Sequence, residues 1–173
     1  MKAVFIDRDG VVNKTYFRDG KSRAPSSLAE FEFLPGVSEA ILNLRNAGYL
    51  LVIVTNQPDV ARGLQTRDIV ETMNAFVVQQ LNVHDLKVCY HDDPDACLCR
   101  KPQPGMLLEA AQAWSIDLTR SFMVGDRFTD IEAGKAAGCT TILIGAGEGE
   151  KRLNPDHAVE SLLEASRLIL GFI

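Results

Sequence analysis

Short apolar runs that stop abruptly in polar residues recur along the chain and set its organisation. The first, Lys2 to Ile6, ends in Asp7-Arg8-Asp9-Gly10 and reads as a buried strand leaving its sheet. Val11 to Phe33 follows with little periodicity, broken at Asp19-Gly20 and Ala24-Pro25-Ser26-Ser27, which predicts an irregular flap. After Pro35-Gly36, Val37, Ala40, Ile41 and Leu44 fall at i, i+3, i+4 and i+7, one face of a helix that Gly48 is placed to cap. Tyr49 to Val54 is a second buried strand and stops in Thr55-Asn56-Gln57. Thr66 can N-cap a helix whose stripe is Ile69, Val70, Met73, Phe76 and Val77. A third strand, about Leu86 to Tyr90, runs into a cysteine cluster, and Pro104 opens a helix that turns Leu107, Ala110, Ala111 and Trp114 inward. Phe122-Met123-Val124 is a fourth strand, ending in Gly125-Asp126-Arg127-Phe128-Thr129-Asp130. Thr129 with Glu132 predicts a capping box for a short helix closed by Gly138. Thr140 to Ile144 is a fifth strand and Asp156 to Val159 a sixth, before a last helix capped by Ser161 and Glu164.

Strands alternating with helical patterns imply βαβ units, so the expected fold is α/β: a three-layer, Rossmann-like parallel sheet. At 173 residues the chain suits one domain over 1–173, and no segment is long enough for a large cap domain. An apolar fraction of 46% and a charged fraction of 24% are those of a soluble globular protein. The net charge of −5, without a basic block, argues against nucleic acid or an anionic membrane surface as partner. No run reaches transmembrane length and the N-terminus enters a strand directly, so the expected location is cytoplasmic; a monomer is the expected state.

The polar strand ends carry complementary chemistry: Asp7 and Asp9; Thr55 and Asn56; Arg100 and Lys101; Asp126 and Asp130. In a parallel sheet these ends share one rim, where open α/β folds bind ligands. Any one of them alone is an ordinary turn residue. Together, several carboxylates facing one another need a hard cation, and oxygen ligands of this kind suit Mg²⁺. With a lysine and a hydroxyl beside them they form a site for a phosphoryl group, whose transition state is stabilised electrostatically.

With these residues the sequence resembles the haloacid dehalogenase superfamily of phosphohydrolases. Asp7-Arg8-Asp9-Gly10 is similar to its D-x-D-G motif, Thr55-Asn56 to its second, Lys101 to its third, and Gly125-Asp126 with Asp130 to its acidic fourth. The resemblance implies a covalent mechanism in which Asp7 attacks phosphorus and Asp9 serves as general acid and base. It also implies Mg²⁺ held by Asp7, Asp126 and the Asp9 backbone carbonyl with Asp130 behind, phosphate oxygens on Thr55, and Lys101 restraining the nucleophile.

Cys89-Tyr90-His91 and Cys97-Leu98-Cys99 put three thiols and an imidazole within eleven residues, the ligand set of a closed structural zinc site. Zn²⁺ on Cys89, His91, Cys97 and Cys99 would staple the loop 89–99 that delivers Arg100 and Lys101. Asp92, Asp93 and Asp95 read as solvated loop residues, and Cys139 as a small core residue. His84 and His157 read as surface or structural, and Arg18, Lys21 and Arg23 as a solvated basic loop, with contact to a second phosphate the alternative. The loop narrows the resemblance to the subgroup of D,D-heptose 1,7-bisphosphate phosphatases and histidinol-phosphate phosphatases. Phe31 to Val37, Ala61-Arg62-Gly63, and Cys99-Arg100-Lys101-Pro102 with Pro104-Gly105-Met106 resemble the heptose enzymes. In that subgroup Arg100 would contact the second phosphate or sugar oxygens, and Asn56 and Arg127 would line the substrate site. The chain departs from the pattern at Pro58-Asp59-Val60, where Ser-Gly-Ile is usual, and in the short His91–Cys97 spacing, which leans to the histidinol type. The substrate expected is a small phosphorylated sugar, most simply a heptose bisphosphate, with histidinol phosphate the rival. From another class, a receiver-like phospho-acceptor module also builds an aspartate–Mg²⁺ site, but it lacks a reason for Asp9 two residues after Asp7 and accepts phosphate on a different strand. A zinc-stapled binding protein with a dead site leaves the intact set Asp7, Asp9, Lys101 and Asp126 unexplained.

Overall fold

The apolar runs become the strands of one parallel sheet. A computed structural model describes residues 1–18, 20–145 and 154–171. Asp19, half of the Asp19-Gly20 break, lies outside the described residues. In chain order the strands are β1 (Ala3–Ile6), β2 (Tyr16–Arg18), β3 (Lys21–Arg23), β4 (Leu50–Asn56), β5 (Asp85–Cys89), β6 (Phe122–Gly125), β7 (Thr140–Ile144) and β8 (His157–Val159). The helices are α1 (Val37–Asn46), α2 (Arg67–Leu81), α3 (Gly105–Trp114), α4 (Phe128–Ala137) and α5 (Leu162–Leu170). The main sheet has the order β5-β4-β1-β6-β7-β8, all parallel, with β1 in register between β4 (Phe5 with Val52) and β6 (Phe5 with Met123).

Strands buried on both faces explain the unbroken apolar runs. Val4, Ile6, Leu51, Ile53 and Val124 face one core with Ile41 of α1, Val77 of α2 and Ile169 of α5. Their alternates Ala3, Phe5, Val52, Val54 and Met123 face the other, with Leu107 of α3 and Ala133 of α4. Period-two alternation thus splits each run between two helical layers, the three-layer α/β architecture expected. Among the described residues no cap domain is inserted, and no helix is long and apolar enough to cross a membrane.

The local signals hold in part. Thr66 accepts from the Ile69 N–H and Ser161 from the Glu164 N–H, as N-caps should. Gly48 follows the α1 C-cap with φ +80°. The flap, in contrast, is not wholly irregular: β2 and β3 pair as an antiparallel hairpin, and Leu28–Glu30 makes a 3₁₀ turn. Its strands are three residues long and bury no residue, so they carry no alternation to read. The cap of α4 also differs. The helix starts at Phe128, and the Asp130 carboxylate accepts from the Arg127 N–H at 3.0 Å, so Asp130 rather than the Thr129–Glu132 pair closes the end. Trp114 and Phe76 are half-buried: Trp114 donates its indole N–H to Asp85 at 2.9 Å, and Phe76 joins Phe31 and Phe33 in an aromatic cluster that seats the flap base on α2. His84 is structural, its Nδ1 accepting from the Leu51 N–H, and Cys139 is buried.

Candidate active site

All the polar strand ends meet at the carboxyl edge of the sheet, around a cleft of about 600 Å³. Asp7 follows β1 and its N–H donates to Val124 O, which fixes its backbone to β6. Lys101 arrives from the cysteine loop, 2% exposed, and its ammonium donates to Asp7 Oδ1 at 2.7 Å, Asp130 Oδ1 at 2.5 Å and Val54 O at 2.8 Å. All three of its donors are therefore used, and the lysine is a fixed strut between β4, β1 and α4. Asn56 anchors it: the Asn56 amide donates to Lys101 O and accepts from the Lys101 N–H. Burial pulls the Lys101 ammonium down, but the charges of Asp130 and Asp7 outweigh it and the net shift is upward.

Burial, then the neighbouring charge of Asp130, drives the Asp7 carboxyl well above the usual carboxylate range, against the opposing pull of Lys101. The same two causes push Asp126 up to about 6, opposed by Arg127 and Lys101. Asp126 Oδ1 is buried without a hydrogen-bond partner, and its Oδ2 packs so close to Gly10 (φ +94°) that a Cβ there would stand 2.2 Å away. Gly125 is equally constrained, since a Cβ would meet Asp130 Cβ at 2.1 Å. One carboxylate oxygen each from Asp7, Asp126 and Asp130 lies within 4.8 Å of the others. Mutually repelling buried acids, one with an orphaned oxygen, fit a hard divalent cation.

Asp9 is held by partners the motif does not reveal. Arg8, wholly buried, forks onto its carboxylate at 3.0 to 3.3 Å and donates to Asn74 of α2 at 2.6 Å; Asn13 and Gln57 add bonds of 2.9 and 2.6 Å. Thr55 sits behind Gln57, 1% exposed, with its hydroxyl accepting from Gln57 Nε2 at 2.9 Å. Gln57, which the sequence reading passed over, is the side chain on the cleft wall there. Arg127 lines the cleft beside Asp126. Arg100 lines it too, with Nε on Asp93 at 2.7 Å and Nη1 buried without a hydrogen-bond partner.

Cys89, His91, Cys97 and Cys99 converge as expected. The thiols are free, and His91 Nδ1 and the sulfurs stand 3.1 to 3.6 Å apart in the bonded pairs. That is close to the edge of a zinc tetrahedron, about 3.8 Å for bonds of about 2.3 Å to sulfur. Burial raises the Cys89 thiol, whereas Cys97 comes down to about 7: its burial opposes this, but the Arg100 N–H and the neighbouring thiols favour the thiolate. The acids of this loop are not merely solvated. Asp92 takes a two-pronged hydrogen bond from Arg62 at 2.6 and 2.7 Å, which holds its carboxyl down at about 2.

Acids and a buried lysine at the carboxyl rim of a capless parallel sheet define a hydrolase of the haloacid dehalogenase class, and residues 98–165 match the HAD-hydrolase-like family model. A D-glycero-beta-D-manno-heptose-1,7-bisphosphate 7-phosphatase of Photorhabdus laumondii is 38% identical over 98% of this chain and 95% of its own. One from Rhodopseudomonas palustris is 38% identical over 79% of each chain. The crystal structure of D,D-heptose 1,7-bisphosphate phosphatase from B. bronchiseptica, complexed with magnesium and phosphate, superposes over the whole of both chains with a TM-score of 0.86 at 30% identity. The chain belongs to this heptose bisphosphate phosphatase family of HAD phosphatases.

Proposed function

We propose that the protein removes the 7-phosphate of D-glycero-D-manno-heptose 1,7-bisphosphate by covalent catalysis on Asp7. The observation that carries the reading is the buried set Asp7, Lys101 and Asp130 beside Asp126, with Asp9 clamped on the same rim. An Asp7 carboxylate oxygen attacks phosphorus, the bond to the sugar oxygen breaks, and Asp9 gives that oxygen its proton. Asp9 then takes a proton from the water that hydrolyses the aspartyl-phosphate, which returns both carboxyl groups to their starting state. Lys101 keeps the Asp7 side chain aimed and offsets its charge as the phosphate approaches. Gln57, backed by the Thr55 hydroxyl, lines the cleft where the phosphate oxygens would lie, and Asn56, Arg100 and Arg127 line it toward the rest of the substrate.

The Asp7 and Asp126 side chains and the Asp9 main-chain carbonyl would hold Mg²⁺, with Asp130 behind them. When bound, the ion neutralises the acids and offsets the charge of the phosphate oxygens. Cys89, His91, Cys97 and Cys99 would hold a structural Zn²⁺, since four protein ligands leave no open position. Residues 1–173 act as one catalytic unit, a cytoplasmic monomer in which the clustered thiols stay reduced.

Phosphate release with Mg²⁺ tests it, across both anomers of the heptose bisphosphate, histidinol phosphate and simple sugar phosphates. Preference for one heptose anomer is expected; equal or faster turnover of histidinol phosphate would overturn the substrate, and no turnover at all the mechanism.

A further inference from the structure

The Asp59 side chain joins the flap to its own loop, and Arg62 of that loop carries the connection on to the cysteine loop. The Asp59 carboxylate accepts from Arg23 Nη1 of the flap at 3.2 and 3.3 Å and from Arg62 Nη1 at 3.3 Å. Arg62 continues onto Asp92 of the cysteine loop, and Asp92 Oδ1 lies 3.8 Å from Arg100 Nη2. Arginines and aspartates therefore alternate from flap to cysteine loop: Arg23, Asp59, Arg62, Asp92, Arg100, Asp93. Arg23, Asp59, Arg62 and Arg100 all line the cleft that holds Asp7.

A two-stranded hairpin is marginally stable alone, so what ties it down sets where it sits. The base of the flap is seated on α2 by Phe31 and Phe33, but β3 belongs to a sheet of its own, separate from the main one. Near its exit it is tied by Arg23 to Asp59 and by the Gln65 side chain to Ser26 O. The Asp59 backbone is held within its own loop, its carbonyl accepting from the N–H groups of Leu64 and Gln65.

We infer that Asp59 is a positioning residue for substrate selection: it latches β3 to the cysteine loop and so sets the flap against the part of the substrate distal to the transferred phosphate. The latch takes up guanidinium charge of Arg23 and Arg62 and continues through Asp92 to Arg100, so that three arginines lining the cleft are held in place by one chain of ion pairs. This inference rests on the sugar bisphosphate reading, since only a substrate that extends beyond one phosphate reaches the flap.

The test compares parent, Asp59→Asn and Asp59→Glu on the heptose bisphosphate and on p-nitrophenyl phosphate, alongside limited trypsin digestion at Lys21 and Arg23. In Asp59→Asn, KM for the bisphosphate rises about five-fold with little change in kcat, the scale of one partly exposed ion pair. Selectivity over p-nitrophenyl phosphate falls accordingly, the flap is nicked faster, and Asp59→Glu recovers most of both. The gap between parent and Asp59→Asn narrows at high salt, as partly exposed pairs require. Parent-like KM and parent-like nicking in Asp59→Asn would overturn the latch, and so would a kcat loss shared by both substrates, which marks general damage. If the parent shows no preference for the bisphosphate, the functional reading fails instead, and the trypsin comparison still decides whether Asp59 ties down the flap.

Discussion

The two walls of the cleft are built on opposite electrostatic plans. On the sheet wall, Asp7, Lys101 and Asp130 are buried and bonded to one another and to backbone of two strands. On the flap wall, Arg23, Asp59, Arg62 and Asp92 keep side chains 22 to 39% exposed and bond mainly to each other. A buried charge network has one low-energy arrangement, because any partner that leaves strands a charge out of water. Half-exposed pairs rearrange at small cost, since water takes over for a lost partner. Chemistry that depends on fractions of an ångström sits on the first wall, and fit to a variable substrate on the second.

The contrast is broken most severely at Asp7. Asp7→Asn keeps the shape and removes the nucleophile, so turnover should drop by about 10³-fold or more while the melting curve stays cooperative. An active, soluble Asp7→Asn protein, measured by phosphate release, would refute covalent catalysis there. Lys101→Met leaves Asp7 and Asp130 facing each other unpaired, and denaturant unfolding should show a loss of about 3–5 kcal/mol together with activity. For the loop that joins the walls, Cys97→Ala or zinc chelation should lower stability by about 3 kcal/mol, as for loss of a ligand held at a hundred times its Kd. Unchanged melting in chelator would count against zinc.

Proton linkage sharpens the comparison on the sheet wall alone. Asp126 and Asp7 bind protons more tightly in the folded, magnesium-free state than ordinary carboxyls do. Their contribution to stability is thus fully present at low pH; that of Asp126 is lost as the pH rises from the ordinary carboxylate range through about 6, and that of Asp7 is lost in the same direction. Mg²⁺ competes with those protons, so the melting temperature of zinc-loaded protein should respond to Mg²⁺ by about 2–4 °C per kcal/mol gained above pH 6, and hardly at pH 5. The smallest effect belongs to the flap wall: Asp92→Ala should change stability by no more than about 1 kcal/mol.

How much of this was legible in the sequence follows from the same division. Asp7, Asp9 and Asp126 could be read because each sits just past an apolar run, and Lys101 because it follows the cysteine cluster beyond the third; the topology of a parallel sheet then gathers them. The cluster of three cysteines and a histidine was legible from spacing within one loop. The clamp on Asp9 was not, since Asn74 lies on a helix 66 positions from Arg8 and nothing local marks the pair. The Arg23–Asp59 contact spans 36 positions and was hidden for the same reason, though Asp59 itself stood out as a departure. The capping signal at Thr129 and Glu132 misled because Asp130 closes the helix and also receives Lys101, two uses that no pattern of hydrophobic positions records.

The central place of β1 bears on synthesis. Its two neighbours, β4 and β6, begin at Leu50 and Phe122, so the strand that presents Asp7 is made first and flanked on both sides only late. A nascent chain that has emerged as far as Cys99 can close one edge of β1 and collect the zinc thiols, while the other edge waits for Phe122 to Gly125. Until then Asp7 lacks the Val124 carbonyl that fixes its backbone, and Lys101 lacks Asp130. Vectorial folding therefore delays assembly of the reactive carboxylate until most of the molecule exists.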